Sequence, residues 1–421
     1  MIKEKIHKLL NTGFFHIFGS GFLNKLITFA SSYILIRILP KSEYGVYSYA
    51  QNIINIFLIV NGFGIVSGLF QILCENSRDS ELIKAYSKKC FLFGFFFDFF
   101  IVFIIYIYSF FVDNTFNQLN VLLRFMMFIP LSDLCFELVQ VYYRGIGDNK
   151  SYSFLSSVNS ILVFSLSIIG AIFSEAKGLV IGRIISSLVT VLIAIFVFKF
   201  PLKSILKKKY ANLTEWNTIV KISFISMLNN SASIIMQNID GILLGILLNN
   251  SNLIASYKVA TYIPSGLAFL PQVLVIYIYP MFVSHINDKK WLLGKYKKLI
   301  FIFGSINLFI TLFVIGLSGF IVPFLFGHQY EDSINPLNIL MVTYFFNATF
   351  RNISGNLLAS QRRFKANFIF GIIGIAINVV GDIILIPIFG LNGAAFATFA
   401  VVFCVAIMSS LYLIKVFSEE V

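Results

Sequence analysis

Charge is scarce in this chain: of 421 residues, 12% are Asp, Glu, Lys or Arg and 58% are hydrophobic. A water-soluble fold of this length cannot clothe its surface with so few polar groups, so the solvent must be lipid. Cysteine is nearly absent too. The four present (Cys74, Cys90, Cys135 and Cys404) have neither metal-ligand spacing nor the density of a disulfide framework. That excludes a structural zinc site and a stapled secreted domain, and leaves no redox chemistry. The chain has no G-x-x-x-x-G-K-[ST] loop, which excludes an ATPase within it. No catalytic residue, metal ligand or cofactor site is assigned, so the expectation is a protein that is not an enzyme.

What the sequence does have is apolar runs of 20 or more residues along its whole length, each able to cross a ~30 Å hydrocarbon core as a helix. Cutting at the polar breaks predicts twelve spans, near 14–39, 45–73, 90–112, 118–143, 151–174, 177–200, 218–248, 252–284, 299–326, 333–359, 367–389 and 392–416. The Lys-rich start, MIKEKIHKLL, lacks an A-x-A cleavage signal, and the first apolar stretch is too long for a signal peptide, so it reads as an uncleaved first helix. Breaks bearing Lys and Arg (RGIGDNK, FPLKSILKKKY, HINDKKWLLGKYKK, SQRRFK) alternate with breaks poor in them (DNTFNQ, NNS, GHQYED, FGLNG). Only Lys41 and Lys177 fall on the second set. This is the positive-inside pattern, and with an even span count it places both termini in the cytoplasm of a bacterial inner membrane. The net charge of +13 then reflects topology and contact with anionic lipids, not nucleic-acid binding.

The chain also repeats itself. The segment ILIRILPKSEYGVYSYAQNI lies over ILLGILLNNSNLIASYKVATYI with a two-residue gap, aligning Tyr47 with Tyr257, Ala50 with Ala260, Ser48 with Lys258 and Gln51 with Thr261. Six spans per half makes the halves parallel repeats, a plan in which the substrate site lies between them. The expected organisation is an N-terminal six-helix lobe, 1–200, a cytoplasmic linker, 201–217, and a C-terminal six-helix lobe, 218–421.

A charge at bilayer depth is costly unless it faces a bundle interior, a hydrated cavity or a partner. Lys25, Arg37, Arg124, Arg183, Lys258 and Arg351 lie inside spans and form the expected cationic lining of a substrate cavity. Arg37, Arg124, Arg183 and Lys258 lie close enough to the external interface to snorkel, whereas Lys25 and Arg351 lie deeper. Helical spacing puts neutral groups on shared faces: Ser48, Gln51 and Asn55; Ser226, Asn230, Ser233, Gln237 and Asp240; Thr343, Asn347, Arg351 and Ser354. Of these, Gln51, Asn55, Asn230, Gln237 and Asn347 are the expected polar lining. Interhelical hydrogen bonding accounts for any one such stripe. Several stripes carrying ionised groups on helices of both halves favour a cationic, hydrated cavity. The acids at depth are Asp98, Asp133, Glu137, Asp240 and Asp382, each able to carry a proton or to partner an arginine; the first four are candidates for ion coupling, with Asp240 and Lys258 expected to pair near the ends of adjacent helices. Prolines at 264, 271 and 280, together with Gly62 and Gly64, mark helices expected to bend.

Segments including RILPKSEYGVYSYAQNI, YYRGIGDNKSYS, QNIDGILLG, GHQYEDSINPLNIL and LIPIFGLNGAAFAT together resemble the polysaccharide-transporter family of Wzx-type O-antigen flippases in the MOP superfamily. The resemblance implies an all-α polytopic membrane protein with twelve transmembrane helices in two parallel six-helix lobes, MATE/MOP-like. It also implies a substrate made of an oligosaccharide on undecaprenyl pyrophosphate. The expected partners are then this lipid-linked oligosaccharide, membrane lipids and other polysaccharide-assembly proteins. A multidrug exporter of the superfamily is the alternative, disfavoured because a pocket for cationic drugs should be acidic or aromatic. A membrane-embedded polysaccharide polymerase would need a large external loop, which the breaks do not provide.

Overall fold

The computed structural model describes residues 14–76, 79–112, 116, 118–207 and 215–418, without the side chains of 14–18, 273, 274, 276 and 277. The Lys-rich start, the last residues and 208–214 of the expected linker lie outside the described residues. The described chain is helical almost throughout and contains no strand. Its helices are α1 (Phe14–Ile38), α2 (Lys41–Phe57), α3 (Ile65–Glu75), α4 (Ser80–Phe111), α5 (Leu119–Met126), α6 (Ile129–Gly145), α7 (Asn149–Phe196), α8 (Leu202–Lys207), α9 (Trp216–Leu248), α10 (Ser251–Leu267), α11 (Phe269–Ser284), α12 (Lys289–Phe326), α13 (Ile334–Phe346), α14 (Asn352–Ser360), α15 (Phe364–Phe389) and α16 (Leu391–Ser418). Among the described residues nine helices are long and apolar enough to cross a membrane by length and composition.

The helices start where the sequence supplies a cap. Asp79 accepts from the amides of Glu81 and Leu82, Asp148 from that of Ser151, Asn250 from that of Asn252 and Asp288 from that of Trp291. Each side chain satisfies amides that a helix start leaves without partners. These caps carry α4 and α12 well before the expected spans 90–112 and 299–326, through lysine-bearing turns that break the apolar run without breaking the helix.

The chain divides into two compact units, Met1–Ile234 and Ile235–Val421, the division falling within α9. In the first unit Ile65, Leu69, Leu73, Cys90, Leu134, Leu138, Leu155, Ala194, Ile205 and Ile219 form a buried core. In the second the core gathers Phe282, Leu292, Tyr296, Leu357, Leu358 and Leu413. Outside these cores the large apolar side chains face outward, among them Phe99, Phe103 and Phe173 in the first unit and Phe309 and Phe320 in the second. An outward face of phenylalanine is expected where lipid replaces water.

Lipid tails are as apolar as leucine, so helix pairing relies on close backbone approach at small residues. In α7, 48 residues long, the backbone leaves the helical region at Ser174 and Glu175, and the chain folds back on itself. A Cβ at Gly170 would run into the carbonyl of Gly178, one at Gly178 into that of Gly170, and one at Gly182 into that of Leu166. One helix therefore supplies both expected spans 151–174 and 177–200, with the SEAK break as its hairpin. The second unit closes α15 against α16 in the same way, Gly393 lying against the carbonyl of Leu385.

Four expected spans are interrupted, 118–143 of them at Met127 and Phe128 between α5 and α6. In 45–73 the backbone turns left-handed at Gly62, Phe63 and Gly64, with φ of +51°, +57° and +68°. In 252–284 the helix stops at Ala268, four residues after Pro264. In 333–359 the middle turn, Asn347–Arg351, is a π turn between α13 and α14. A π turn inserts a residue into α-helical spacing, so the expected Thr343, Asn347, Arg351 and Ser354 stripe is split: Thr343 and Ser354 are buried, while Asn347 and Arg351 sit on the wide turn, half-buried.

Candidate functional site

Each unit holds a polar network among its helices. In the first, Arg183 of α7 donates from Nη2 to Asp133 Oδ2 of α6 at 2.9 Å and from Nη1 to Gln51 Oε1 of α2 at 2.9 Å. Gln51 donates in turn to Asn55 Oδ1 at 2.7 Å, and Tyr47 Oη donates to Gln51 Oε1 at 3.4 Å. The guanidinium fork thus ties three helix segments through one carboxylate and one amide, the geometry for which arginine is suited. Glu137 stands one turn from Asp133 on α6, within its electrostatic reach. Asp98 of α4, fully buried, accepts from the Gly62 amide at 2.6 Å. Its Oδ2 has no hydrogen-bond partner among the described residues.

The remaining cations of the first unit are spread out. Lys25 is exposed on α1, beside Asn24, whose amide donates to Ser156 of α7 at 2.8 Å. Arg37 is exposed and stacks 5.3 Å over the Tyr33 ring. Arg124 donates to Ser109 Oγ at 3.3 Å and sits 4.5 Å over Phe110. Asn230 is exposed on α9.

In the second unit the network centres on Asp240 of α9. Its Oδ2 accepts from Tyr257 Oη at 2.7 Å and from Thr398 Oγ1 at 2.6 Å, and its Oδ1 from Asn378 Nδ2 at 3.0 Å. The same Asn378 amide reaches Asp382 Oδ2 at 3.4 Å. Asp382 is fully buried and its Oδ1 has no hydrogen-bond partner among the described residues. Helices α9, α10, α15 and α16 thus bring two carboxylates, an amide and two hydroxyls to one place. Asn378, Asp382 and Thr398 are absent from the sequence-based site. Their signal was legible, since Asn378 and Asp382 stand one turn apart in an otherwise apolar span.

The expected Asp240–Lys258 ion pair does not form. Tyr257 and Lys258 are neighbours on α10, so their side chains diverge by ~100°. Tyr257 takes the direction facing Asp240, which leaves Lys258 half-buried without an acidic partner among the described residues. Arg351 is likewise half-buried, and its Nη2 lies 3.8 Å from the Met236 sulfur. Asn347 stands at the start of the same π turn, and Gln237 is exposed on α9.

The aligned tyrosines stand at the same distance from the starts of their helices. Tyr47 is the seventh residue of α2 and Tyr257 the seventh of α10, and the aligned Ala50 and Ala260 are both fully buried three residues on. The family described as polysaccharide biosynthesis protein matches residues 34–335. The chain belongs to that family. No curated protein matches the sequence. Among solved structures, the lipid II flippase MurJ in an inward closed conformation has a TM-score of 0.70 at 19% identity, covering 95% of this chain and 88% of that one. An inward-facing multidrug resistance MATE transporter of the MOP superfamily gives 0.69 at 14% identity, over 94% and 96%. A MOP superfamily transporter from Pyrococcus furiosus, described by the reversed polarity of its binding pocket, gives 0.63 at 15%, over 98% and 96%. At these identities the likeness establishes the fold: this family member has the all-α membrane architecture shared by flippases and transporters of the superfamily.

Proposed function

We propose that the protein is a flippase that moves an oligosaccharide on undecaprenyl pyrophosphate, the repeat unit of an O-antigen or similar polysaccharide, from the cytoplasmic to the outer leaflet of the bacterial inner membrane by alternating access. Family membership and fold support a carrier acting in polysaccharide biosynthesis. The observation that carries the substrate class is the pair of cations in the second unit, Lys258 and Arg351, both half-buried on membrane helices without an acidic partner among the described residues. A cation held at depth without a counter-charge is costly unless a ligand or water supplies one. A diphosphate supplies it, and the guanidinium offers a planar fork that matches phosphate oxygens. Gln237 and Asn347 of the same unit offer amides to sugar hydroxyls. A pocket selecting cationic drugs would repel its own substrate at Lys258 and Arg351, which disfavours the exporter reading.

The driving force enters at the Asp240 network. Two buried carboxylates with hydroxyls beside them and an open carboxylate oxygen gather the oxygen ligands and net negative charge that a hard cation takes, while the Asn378 amide turns its nitrogen to both acids. Coupling at this place is the role proposed for Asp240 and Asp382. Proteins that make and polymerise the repeat unit are the proposed partners on either side of the membrane.

The test is transport of a lipid-linked oligosaccharide in proteoliposomes. Loss of one charge-assisted phosphate contact, about 1.5–3 kcal/mol, should slow flipping by Arg351→Ala roughly ten- to a hundredfold at normal abundance. Arg351→Lys should keep part of the rate. Full transport by Arg351→Ala, Lys258→Ala at normal abundance would overturn the reading.

A further inference from the structure

The second membrane segment is bent by an unusual turn, and the group that holds the bend is a buried acid. Between α2 and α3 the backbone passes through Asn61 at ψ 124° and then three consecutive left-handed residues, Gly62, Phe63 and Gly64. Glycine takes that conformation freely, but Phe63 does so against its own Cβ. A straight helix would relieve Phe63 and restore the backbone hydrogen bonds that the turn gives up. Two things oppose this. The Phe63 ring lies among Phe93 and Phe97 of α4 and Phe224 of α9, at centroid distances of 5.8, 5.2 and 5.8 Å. The Gly62 amide, freed by the bend, donates to Asp98 Oδ1 at 2.6 Å.

We propose that Asp98 is a proton-binding latch: ionised, it holds the second membrane segment bent at Gly62–Gly64, and protonated, it releases the segment toward a straight helix. A hydrogen bond to a charged acceptor is roughly twice as strong as its neutral counterpart, so protonation weakens the side-chain contact that ties the turn to α4. The surroundings favour such a cycle. Asp98 is fully buried, with Oδ2 unpartnered. The titratable groups of α6 within its electrostatic reach are Asp133, Cys135 and Glu137. Three carboxyls share one guanidinium there, since Arg183 bonds Asp133. The turn itself carries no titratable side chain. On the other elements packed against α4, Cys74 and Glu75 lie about 15 Å along α3, Arg124 of α5 is engaged with Ser109 and Phe110, Lys203 and Lys207 of α8 are exposed, and Lys221 of α9 is exposed. On α4, Lys89 is occupied over Trp216 at 4.2 Å.

The test measures the distance between spin labels at Ser42 and Gln71 of the full-length protein in nanodiscs, with the native cysteines replaced. A continuous helix would separate these positions by about 44 Å, and the bend shortens that. As pH falls from about 8.5 to 4.5, across a buried carboxyl's range, the distance should lengthen toward the straight value, and Asp98→Asn should be long at every pH. Glu137→Gln guards against an Asp98→Asn that does not fold. Removing a neighbouring negative charge makes Asp98 easier to ionise, so this variant should keep the response with its midpoint at lower pH. A distance that ignores pH in the native sequence, a native-like response in Asp98→Asn, or loss of the response in Glu137→Gln would each overturn the proposal. No substrate is involved, so failure here leaves the flippase reading standing.

Discussion

Asp382 illustrates how much a single buried carboxylate can require of its surroundings. It sits one turn from Asn378, shares that amide with Asp240, and keeps one oxygen open in a fully buried place. Like charges this close repel, and a bound cation relieves both. Sodium should therefore stabilise the purified protein: at a hundredfold over its dissociation constant the gain is about 2.7 kcal/mol. Melting in sodium chloride against choline chloride checks this. Asp382→Asn should melt at the same temperature in both, and a sodium shift retained by the variant would remove the cation from this place. Arg183 shows the opposite economy, since its charge is met within the unit by Asp133 and Gln51. It is therefore a tie between α2, α6 and α7, and Lys258 and Arg351 are the cations proposed to meet the substrate.

At the scale of elements, the hairpin of α7 depends on residues too small to see in hydropathy. Gly170, Gly178 and Gly182 let two antiparallel arms meet backbone to backbone, and no side chain fits between them. Gly178→Leu should force the arms apart, costing on the order of 1–3 kcal/mol as overpacking does. Because Arg183 sits on the second arm, the same change should move it from Asp133. Thermal denaturation in detergent, compared with Gly294→Leu, where no neighbour lies within reach, separates this from a general intolerance of leucine. Equal melting temperatures for the two variants would mean the glycines are incidental.

For the whole molecule, the distribution of Lys and Arg makes a statement about sidedness. A reporter active only in the cytoplasm should work when fused after Arg363, and one active only outside should work after Asn250 or Gln329. Two reversed sites of the three would overturn the orientation and with it the direction of transport. The fold allows this arrangement, since both units are helical and present outward faces rich in apolar side chains.

Lipid as solvent, the helical class and the breaks at SEAK and FGLNG were legible in the sequence. Each depends on residues close together in the chain or on bulk hydropathy, and a membrane leaves the backbone little choice except the helix. What only the tertiary structure decided is who meets whom. Tyr257 rather than Lys258 faces Asp240 because a one-residue step along a helix turns a side chain away. Thr398 joins that carboxylate from 158 residues further along the chain. Asp98 found its partner in an amide that exists only because α2 and α3 are bent at Gly62. Such contacts depend on packing angles and on the register between distant helices, quantities that no local pattern encodes.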